Sequence, residues 1–387
     1  MTDVTDVAES KMAGTMTRTR DQDACPGALT VHQAADGALV RIRLPGGMIT
    51  AAQLTALAET AEQFGSPAME LTSRGNIQIR AVTDTGAAAT ALADAGLLPS
   101  ATHERARNIV ASPLSGRSGG IIDVRPMVRD LDRAIQADPA LAGLPGRFWF
   151  SLDDGRGDVS GIDADAGVHA RDDGSCALLL AGRDTGVRLD TGDAVTTLIE
   201  MARRFVATRG KAWRVTELDD HAALLDGFTP SAPAGATWPP TVTPPVGWIE
   251  QRDSRVALGA AVPLGVLQAR VAHFLAAIEA PLVITPWRSV LVCDVGEGVA
   301  DASLRVLAPL GLVFDENSPW LRVSACTGSP GCAKSAADVR ADAAESVDAP
   351  TQTHRHFVGC ERACGSPATG EVLIATEDGY RLRIAPP

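Results

Sequence analysis

Four cysteines stand in two close pairs near the C-terminus, and their spacing is the most chemically informative pattern in the chain. Cys326 and Cys332 are separated by five residues, Cys360 and Cys364 by three, and 27 residues lie between the pairs. Two loops that each offer two thiolates to one soft metal centre are typical of a four-cysteine iron-sulfur site. We therefore predict that these four residues ligate a [4Fe-4S] cluster.

The residues around each pair suit a bulky inorganic core. Gly328 and Gly331 lie between the first two cysteines, and glycine lets backbone N–H groups approach the sulfides of a cluster. Cys360 and Cys364 are expected on one face of a helical turn that ends at Gly365. Each loop can thus direct two sulfurs toward a common centre.

Other uses of the thiols remain open. Structural zinc sites space each cysteine pair by about two to four residues, so the five-residue interval is wide for zinc. Four unrelated thiols are a further alternative, whereas disulfides are disfavoured because no secretory signal is evident and such short pairs would be strained. Cys176 and Cys293 lie in apolar runs typical of a core, and Cys25 precedes Pro26-Gly27, as expected of a turn residue.

Composition narrows the class of protein. The chain has 387 residues, is 45% hydrophobic and carries a formal charge of −12, which favours a globular protein and disfavours nucleic acid or an anionic membrane as partner. The first 20 residues lack the apolar core of a signal peptide, and no run approaches the ~18 apolar residues that span a bilayer. We therefore expect a cytoplasmic protein.

Two segments of the chain resemble each other, which predicts a duplicated architecture. The first has an alternating strand over Leu39–Leu44, a Pro45-Gly46-Gly47 turn and a helix from Ala51 to Gln63. The second has a strand over Arg255–Val262 followed by a similar turn at Pro263-Leu264-Gly265. Since each unit is too short to cover its own sheet, we expect the two to pack about a pseudo-twofold axis with a cleft at their joint.

The order and spacing of the cysteines, with the Gly-Ser-Pro that follows Cys364, resemble the signature of the sulfite and nitrite reductase superfamily. Residues 71–78, Leu-Thr-Ser-Arg-Gly-Asn-Ile-Gln, are similar to its Thr-x-Arg-x-x-x-Gln strand, and Arg107-Asn108-Ile109 is similar to its Arg-Asn-Val segment. Both segments supply anion-binding arginines in that superfamily, where a tetrapyrrole lies between the halves. The resemblance covers nearly the whole chain after Cys25.

The resemblance implies an α+β fold with two pseudo-symmetric ferredoxin-like half-domain repeats and two α/β domains of the reductase type, the C-terminal one carrying the cluster. The expected divisions are a flexible tail (1–24), the first repeat (25–103), an α/β domain without cluster (104–228), a proline-rich linker (229–247), the second repeat (248–318) and the cluster domain (319–387). By symmetry, Ala111-Ser112-Pro113 is expected at the position of Cys326 to Pro330, and Ser151-Leu152 at that of Cys360.

Two functions agree with the resemblance. The reductases surround a small anion on sirohaem with two arginines and two lysines, and Arg147 and Trp149 stand here at the lysine positions. A nearer resemblance is to the oxygen-dependent precorrin-3B synthases of the same superfamily, in length and in residues 23–27 and 356–360. In those enzymes the tetrapyrrole is the substrate. A sirohaem-dependent ferredoxin sulfite or nitrite reductase is the alternative, and sirohaem is expected only under it.

The nearer resemblance implies a monooxygenase reaction in aerobic cobalamin biosynthesis, in which O₂ and two electrons convert precorrin-3A into a hydroxylated γ-lactone. The cluster would relay electrons from an NAD(P)H-linked reductase or a ferredoxin. Oxygen activation in that family is associated with a mononuclear non-haem iron, whose ligands the sequence does not identify. His354 and His356 are candidates, because alternate residues of a strand share one face.

A substrate rimmed by carboxylates is best bound by arginines. We nominate Arg74, Arg107 and Arg147 as substrate-binding residues, with Arg288 from the second repeat; a surface ion pair is the alternative role of each. Strict strand alternation would place three further candidates on the face of Arg74: Thr72, Asn76 and Gln78. The sequence identifies no catalytic residue.

Overall fold

The computed structural model describes residues 23–349, 351–367 and 369–383. The expected N-terminal tail, residues 1–24, therefore lies outside the described residues except for its last two positions. Asp23 is buried, and its carboxylate accepts hydrogen bonds from the Arg147 backbone N–H at 2.7 Å and from the Arg105 guanidinium at 3.3 Å. Asp23, the first described residue, is therefore part of the packed fold.

The helices and strands fall into four groups along the chain. The first group is β1 (His32–Ala34), β2 (Gly37–Ile42), β3 (Met48–Ile49), α1 (Ala51–Phe64), β4 (Ala68–Leu71), β5 (Ile77–Val82) and α2 (Thr85–Asp94). The second is β6 (Ile109–Ala111), α3 (Arg125–Ala137), β7 (Phe150–Asp153), β8 (Ala166–Ala170), β9 (Ser175–Leu180), β10 (Arg183–Asp190), α4 (Ala194–Thr208) and α5 (Ala222–Leu225). The third is β11 (Gly247–Glu250), β12 (Val256–Ala261), β13 (Val266–Gln268), α6 (Ala269–Ala276), β14 (Leu282–Ile284), β15 (Ser289–Val295) and α7 (Glu297–Leu307). The fourth is β16 (Val323–Ala325), α8 (Val339–Glu345), β17 (Arg355–Val358), β18 (Glu371–Thr376) and β19 (Gly379–Leu382).

The two repeats exchange a strand. Their antiparallel sheets have the orders β1-β2-β5-β4-β13 and β11-β12-β15-β14-β3. Leu267 of β13 pairs with Met69 of β4, and Ile49 of β3 pairs with Leu282 of β14. Helices α1 and α6 pack together, and buried side chains from both repeats form one apolar core. The repeats are therefore a single structural unit with pseudo-twofold symmetry.

Helix α1 follows the sequence pattern closely. The Thr50 hydroxyl accepts from the Gln53 N–H at 3.2 Å, and the Gln53 side chain accepts from the Thr50 N–H at 3.1 Å, so a capping box starts the helix. Leu54 and Leu57 are fully buried on its inner face. At the other end, the Gly65 N–H bonds to an α1 carbonyl. A cap of this kind stabilises a helix by about 1 kcal/mol.

Residues 71–78, expected to belong to one strand, instead form a hairpin. Gly75 has φ +65°, and its N–H bonds to the Thr72 carbonyl at 3.1 Å, which closes a turn between β4 and β5. The expectation that Thr72, Arg74, Asn76 and Gln78 share one strand face is therefore wrong. Strand alternation applies only to extended backbone, and the positive φ of Gly75 ends it.

The two α/β sheets have the orders β10-β9-β8-β7-β6 and β16-β17-β18-β19. The first three strands of each sheet in chain order, β6-β7-β8 and β16-β17-β18, are parallel. Ala111 pairs with Leu152 in the first sheet as Ala325 pairs with Phe357 in the second. This register places Ser112 at the position of Cys326, as expected. It places Gly155, three residues after Leu152, at the position of Cys360, which corrects the expected Ser151-Leu152.

The proline-rich segment between α5 and β11 packs against the first α/β domain. The Trp238 ring lies 4.4 Å from the His169 ring, measured between centroids. A Cβ built on Gly161 would lie 2.5 Å from the Pro239 carbonyl oxygen, so the two backbones touch.

None of the described helices combines the length and apolar character needed to cross a membrane.

Candidate metal centre and adjoining cavity

The structure brings the four predicted ligands together in the C-terminal domain. Cys326 follows β16, and Cys360 and Cys364 follow β17. Burial and then the neighbouring thiols of Cys326, Cys360 and Cys332 raise the pKa of Cys364. All four are free thiols. Since thiolates repel one another, a cation at their centre is what would keep all four ionised.

The four sulfurs do not lie at the spacing of ligands to a single zinc ion. Within the described residues, only Asp153, Asp154 and Asp158 place three ligand atoms within 4.8 Å of one another, so no three of the four thiols approach that closely. A tetrahedral zinc site, with Zn–S bonds of about 2.3 Å, holds its sulfurs about 4 Å apart.

Glycines shape the loops that carry the thiols. The Gly359 N–H donates to the Cys326 sulfur at 3.3 Å. A Cβ at Gly359 would lie 1.7 Å from the Ser335 hydroxyl oxygen, and one at Gly328, where φ is +72°, would lie 2.8 Å from the Val339 side chain. Only glycine fits these positions. N–H groups directed at ligand sulfurs are a common means of tuning a cluster.

Two arginines from the repeats hold carbonyls beside the cysteines. Arg80, on β5, donates to the Gly331 carbonyl at 2.6 Å, and Arg288 donates to the Gly365 carbonyl at 3.1 Å. Gly331 directly precedes Cys332 in the chain, and Gly365 directly follows Cys364. The two repeats therefore position both ligand loops. Arg80, the one charged residue of β5, was not predicted from the sequence as part of the site.

A cavity of about 430 Å³ lies where the two halves, the proline-rich segment and the cluster domain meet. Arg74, Trp149 and Arg214 contribute from the first half, and Arg288 and Gly365 face them from the second. Residues of the segment 240–244 also line the cavity, and the Trp287 indole N–H donates to the Thr241 carbonyl at 2.6 Å. The cavity thus lies in the seam between the halves and adjoins the thiol site.

Trp149 and two guanidinium groups form the wall of the first half. The guanidinium carbons of Arg74 and Arg214 lie 5.1 Å and 5.8 Å from the centroid of the Trp149 ring. Arg214 is anchored by the Asp165 carboxylate at 2.7 Å, whereas Arg74 has no carboxylate partner among the described residues. Burial lowers the pKa of Arg74 to about 9, so it stays protonated at neutral pH. The Trp149 indole N–H has no hydrogen-bond partner within the described chain.

The four nominated arginines divide into two groups. Arg74 and Arg288 line the cavity. Arg107 forms a bidentate pair with Asp132, at 2.6 Å and 2.9 Å, and is buried beside α3. The Arg147 guanidinium stacks over the Trp213 ring at 5.5 Å from its centroid. Neither of these two lines the cavity. Arg214, which does, was missed because nothing in its local sequence distinguishes it.

The three polar candidates near Arg74 are engaged within the fold. The Thr72 hydroxyl accepts from the Asn76 N–H at 3.1 Å, and the Asn76 amide oxygen accepts from the Leu44 N–H at 2.9 Å. Gln78 accepts from the Arg41 guanidinium at 2.8 Å. These side chains shape the hairpin that presents Arg74, and they do not line the cavity.

His354 and His356 both point toward Ser324. The Ser324 hydroxyl lies 2.7 Å from His354 Nε2 and 2.8 Å from His356 Nδ1, and His356 Nε2 lies 3.0 Å from the Cys364 carbonyl oxygen. Burial lowers the pKa of both histidines, that of His356 to about 4. His354 lines the cavity, whereas both nitrogens of His356 are engaged. The pair therefore shares a face without offering two open nitrogens to a metal.

The acidic group in the first α/β domain occupies the position that corresponds to the thiol site. Asp153 accepts from four backbone N–H groups of the loop that follows it, and Asp154 pairs with Arg156 at 2.7 Å. Asp158 accepts from the Ser112 hydroxyl at 2.6 Å, and burial with the nearby Asp153 charge raises its pKa to about 7. These carboxylates organise the loop through hydrogen bonds.

Comparison with known proteins places these features in context. Residues 32–91 match the nitrite/sulfite reductase ferredoxin-like half domain. The chain is 26% identical to a precorrin-3B synthase of Sinorhizobium sp over 96% of its own length and 84% of the relative's. It is 30% identical to a ferredoxin–nitrite reductase of Leptolyngbya laminosa, over 30% of this chain and 24% of that protein.

A longer match to a nitrite reductase and a match to a solved structure have lower sequence identity. An assimilatory ferredoxin-dependent nitrite reductase of Haloferax mediterranei is 23% identical over 88% of this chain and 71% of its own length. The structure of the Mycobacterium tuberculosis NirA protein superposes with a TM-score of 0.72 at 18% identity, covering 89% of this chain and 74% of that one. The predicted α+β fold class is confirmed. Residues 32–91 thus match a nitrite/sulfite reductase ferredoxin-like half domain, and the chain is similar to a precorrin-3B synthase over nearly its full length.

Proposed function

We propose that the protein is a precorrin-3B synthase, which uses O₂ and two electrons to hydroxylate precorrin-3A and close a γ-lactone. One observation carries the proposal: a cavity lined by arginine and tryptophan adjoins the four-thiol site, in a chain that resembles a precorrin-3B synthase over 96% of its length. Ferredoxin or an NAD(P)H-linked reductase is the proposed electron donor.

The cavity suits a carboxylated macrocycle. Its volume of about 430 Å³ is in the range of small-molecule sites, and its opening leaves room for peripheral substituents to extend outward. Arg74, Arg214 and Arg288 supply guanidinium groups for carboxylates. Trp149 and Trp287 supply flat apolar faces for a ring system.

The residues of the thiol site fit an iron-sulfur cofactor. Cys326, Cys332, Cys360 and Cys364 would hold a [4Fe-4S] cluster, which supplies single-electron transfer when bound. Gly365, directly after the last of these, lines the cavity, so one residue of main chain separates a ligand from the substrate space. Its carbonyl is held by Arg288, which fixes the distance between the two sites.

A mononuclear non-haem iron does not fit the described residues. Such sites use two histidines and a carboxylate with open positions, and no group of that kind converges in the described part of the chain. His356 is engaged on both nitrogens by Ser324 and the Cys364 carbonyl. We therefore assign no residue to such an iron and no step to it.

A sirohaem-dependent sulfite or nitrite reductase is the second candidate, favoured by the similarity in sequence to ferredoxin-dependent nitrite reductases. Those enzymes are expected to place two lysines beside the anion. Here Trp149 lines the cavity at one of those positions, and Arg147, at the other, stacks on Trp213. Losing a cation beside a developing oxyanion costs about 3 kcal/mol or more, so the cavity favours the macrocycle as substrate.

Anaerobic purification followed by turnover tests the proposal. We expect brown protein with about four iron and four sulfide per chain, broad absorption without a Soret band, and O₂ uptake when precorrin-3A and a reductant are added. A tightly bound haem chromophore with dye-coupled sulfite or nitrite reduction would favour the second candidate. Colourless zinc protein, or intact cluster without O₂ uptake, would reject the first.

A matched pair of cysteine variants tests the ligand assignment. Cys332→Ser is expected to lose the cluster absorbance and turnover, because a hydroxyl is a poor ligand for iron in a cluster. Cys176→Ser should retain both, since Cys176 is fully buried in the apolar core of the first α/β domain. Equal losses in the two variants would contradict the assignment.

A further inference from the structure

Cys25 lies in a group of guanidiniums outside the cluster site. Its sulfur accepts from Arg41 Nη1 at 3.2 Å and from Arg43 Nη2 at 3.4 Å; Arg41 stands on β2, and Arg43 directly follows that strand. Arg74, on the hairpin between β4 and β5, and Asp23 also act on the thiol electrostatically. The sequence predicted only a turn at Cys25, because Arg41 and Arg43 are distant from it in the chain and leave no local pattern there.

The guanidiniums around Cys25 form no direct ion pair with a described carboxylate. Arg43 is 2% exposed, and its Nε and Nη1 atoms have no hydrogen-bond partner in the described part of the chain. Asp23 is the carboxylate whose charge acts on both Arg43 and the thiol. Buried charges without a direct partner are costly, so the guanidiniums favour an anion on the sulfur of Cys25. Burial raises the pKa of Cys25, but the Arg43, Arg41 and Arg74 charges outweigh it, and the net change is downward.

Close packing connects this thiol to the cavity wall. A Cβ at Gly146 would lie 2.9 Å from the Cys25 Cβ, so glycine lets the cysteine approach the loop before β7. The Gly146 carbonyl accepts from Arg74 Nη1 at 3.4 Å, and Arg74 lines the cavity. The cysteine is partly exposed. The thiol therefore lies directly behind the arginine wall of the cavity.

We infer that Cys25 is held as a thiolate by Arg41 and Arg43 and is a site of selective reaction with soft electrophiles, including hydrogen peroxide. A metal cation is a poor occupant, because the guanidiniums that stabilise the thiolate repel it. With peroxide, the thiolate sulfur attacks one oxygen, an S–O bond forms and the O–O bond breaks. The sulfur loses two electrons to the peroxide, and sulfenic acid and hydroxide result.

The inference stands independently of the reaction proposed above, and thiol chemistry tests it on the cluster-containing protein. With iodoacetamide at pH 7, we expect Cys25 to be alkylated at least about tenfold faster than Cys176 or Cys293, as measured by mass spectrometry of the peptides. Those two are internal controls, because burial raises their pKa values to about 11 and about 12. Hydrogen peroxide followed by dimedone should label the same residue.

Variants of the arginines separate activation from mere exposure. Arg43→Met should slow alkylation of Cys25 at pH 7 by about tenfold or more and move its pH profile upward. Arg41→Met, at a less buried position, provides a second variant should Arg43→Met fold poorly. Arg305→Met, on the exposed face of α7, should leave the rate unchanged. Equal rates in all three variants would overturn the inference.

A spectroscopic measurement covers the case in which reagents fail to reach the sulfur. A thiolate absorbs at about 240 nm and a thiol does not. The absorbance of wild type at that wavelength and pH 7 should therefore exceed that of Cys25→Ser by the contribution of one thiolate. Acidification should remove the difference. If the two proteins absorb alike at pH 7, Cys25 is a neutral thiol and the inference is wrong.

Discussion

The guanidinium of Arg80 donates at 2.6 Å to the main-chain carbonyl of Gly331, the residue before Cys332. Arg80 belongs to the first repeat, yet the loop that it holds carries two of the four candidate ligands. Arg80 also donates to the Thr327 hydroxyl of the same loop at 3.5 Å and to Asp36, at 2.8 Å from both Nε and Nη2. Hydrogen bonds to charged groups contribute about 1.5–3 kcal/mol, so one repeat directly stabilises the loop of the opposite half.

Replacing Arg80 should weaken retention of the cluster. In Arg80→Met the Gly331 carbonyl loses its donor and Asp36 loses its partner, so we expect faster loss of cluster absorbance in air and a lower iron content. Arg305→Met removes an exposed arginine paired with Asp301 at 2.9 Å and serves as the control. Exposed pairs contribute about 0–1 kcal/mol. Identical decay rates in the two variants would show that the Arg80 contact does not stabilise the loop.

Gly359 provides a steric test of the same site. Gly359→Ala would place a Cβ 1.7 Å from the Ser335 hydroxyl oxygen and 2.9 Å from its Cα, so the loop must shift and the Gly359 N–H must leave the Cys326 sulfur. We expect loss of the cluster and a destabilisation of about 2–4 kcal/mol, measured by iron content and denaturant unfolding.

Two companion variants make this test specific. Gly192→Ala is the control, because a Cβ there meets no atom within 4 Å. The double variant Gly359→Ala with Ser335→Gly removes the hydroxyl and Cβ that the new methyl would strike, and should recover part of the iron content. If the double variant binds no more iron than Gly359→Ala alone, steric conflict with Ser335 is not the cause.

Local sequence patterns determined part of this architecture. Helix α1 could be predicted because Thr50, Gln53 and the spacing of Leu54 and Leu57 are all local signals. The four candidate ligands could be nominated because the two cysteines of each pair are close in sequence. The strand exchange was not predictable, since β3 and β13 have only two and three residues, too few for a period to emerge.

Long-range pairing decided the rest of the site. Arg74 and Arg107 look alike in sequence, yet Asp132 on α3 neutralises Arg107 while no described carboxylate reaches Arg74. Arg214 enters the cavity because Asp165, 49 residues away, anchors it. Partners so distant in the chain leave no local pattern, so the sequence alone could nominate arginines without distinguishing wall residues from buried ion pairs.

That difference predicts opposite phenotypes for two arginine variants. Arg74→Ala should weaken binding of uroporphyrin, a polycarboxylated tetrapyrrole used as probe, by about tenfold to a hundredfold, with cluster absorbance and stability retained. Arg107→Ala leaves Asp132 unpaired and should destabilise the protein by about 3 kcal/mol with unchanged affinity for the probe. Fluorescence titration and denaturant unfolding measure the two effects. Weakened binding in Arg107→Ala alone would reverse the assignment.

Asp158 should make stability depend on pH. Burial and the Asp153 charge raise its pKa to about 7 in the folded protein, well above the value of about 4 in an unfolded chain. The folded state therefore keeps a proton that the unfolded state releases, and stability falls as pH rises from about 4 to 7. In Asp158→Asn, whose amide oxygen still accepts from Ser112, that fall should disappear, so the variant gains about 2–4 kcal/mol over wild type at pH 8.

Denaturant unfolding of Asp158→Asn and wild type between pH 5 and 8 measures this effect. The stability difference should grow with pH and level off above about 7. Asp173→Asn is the sign control, because hydrogen bonds from the Ser175 hydroxyl and N–H lower the pKa of that exposed carboxyl. Its replacement should therefore cost stability at neutral pH instead of adding it. Parallel curves for Asp158→Asn and wild type would mean that Asp158 ionises normally and that the buried loop tolerates its charge.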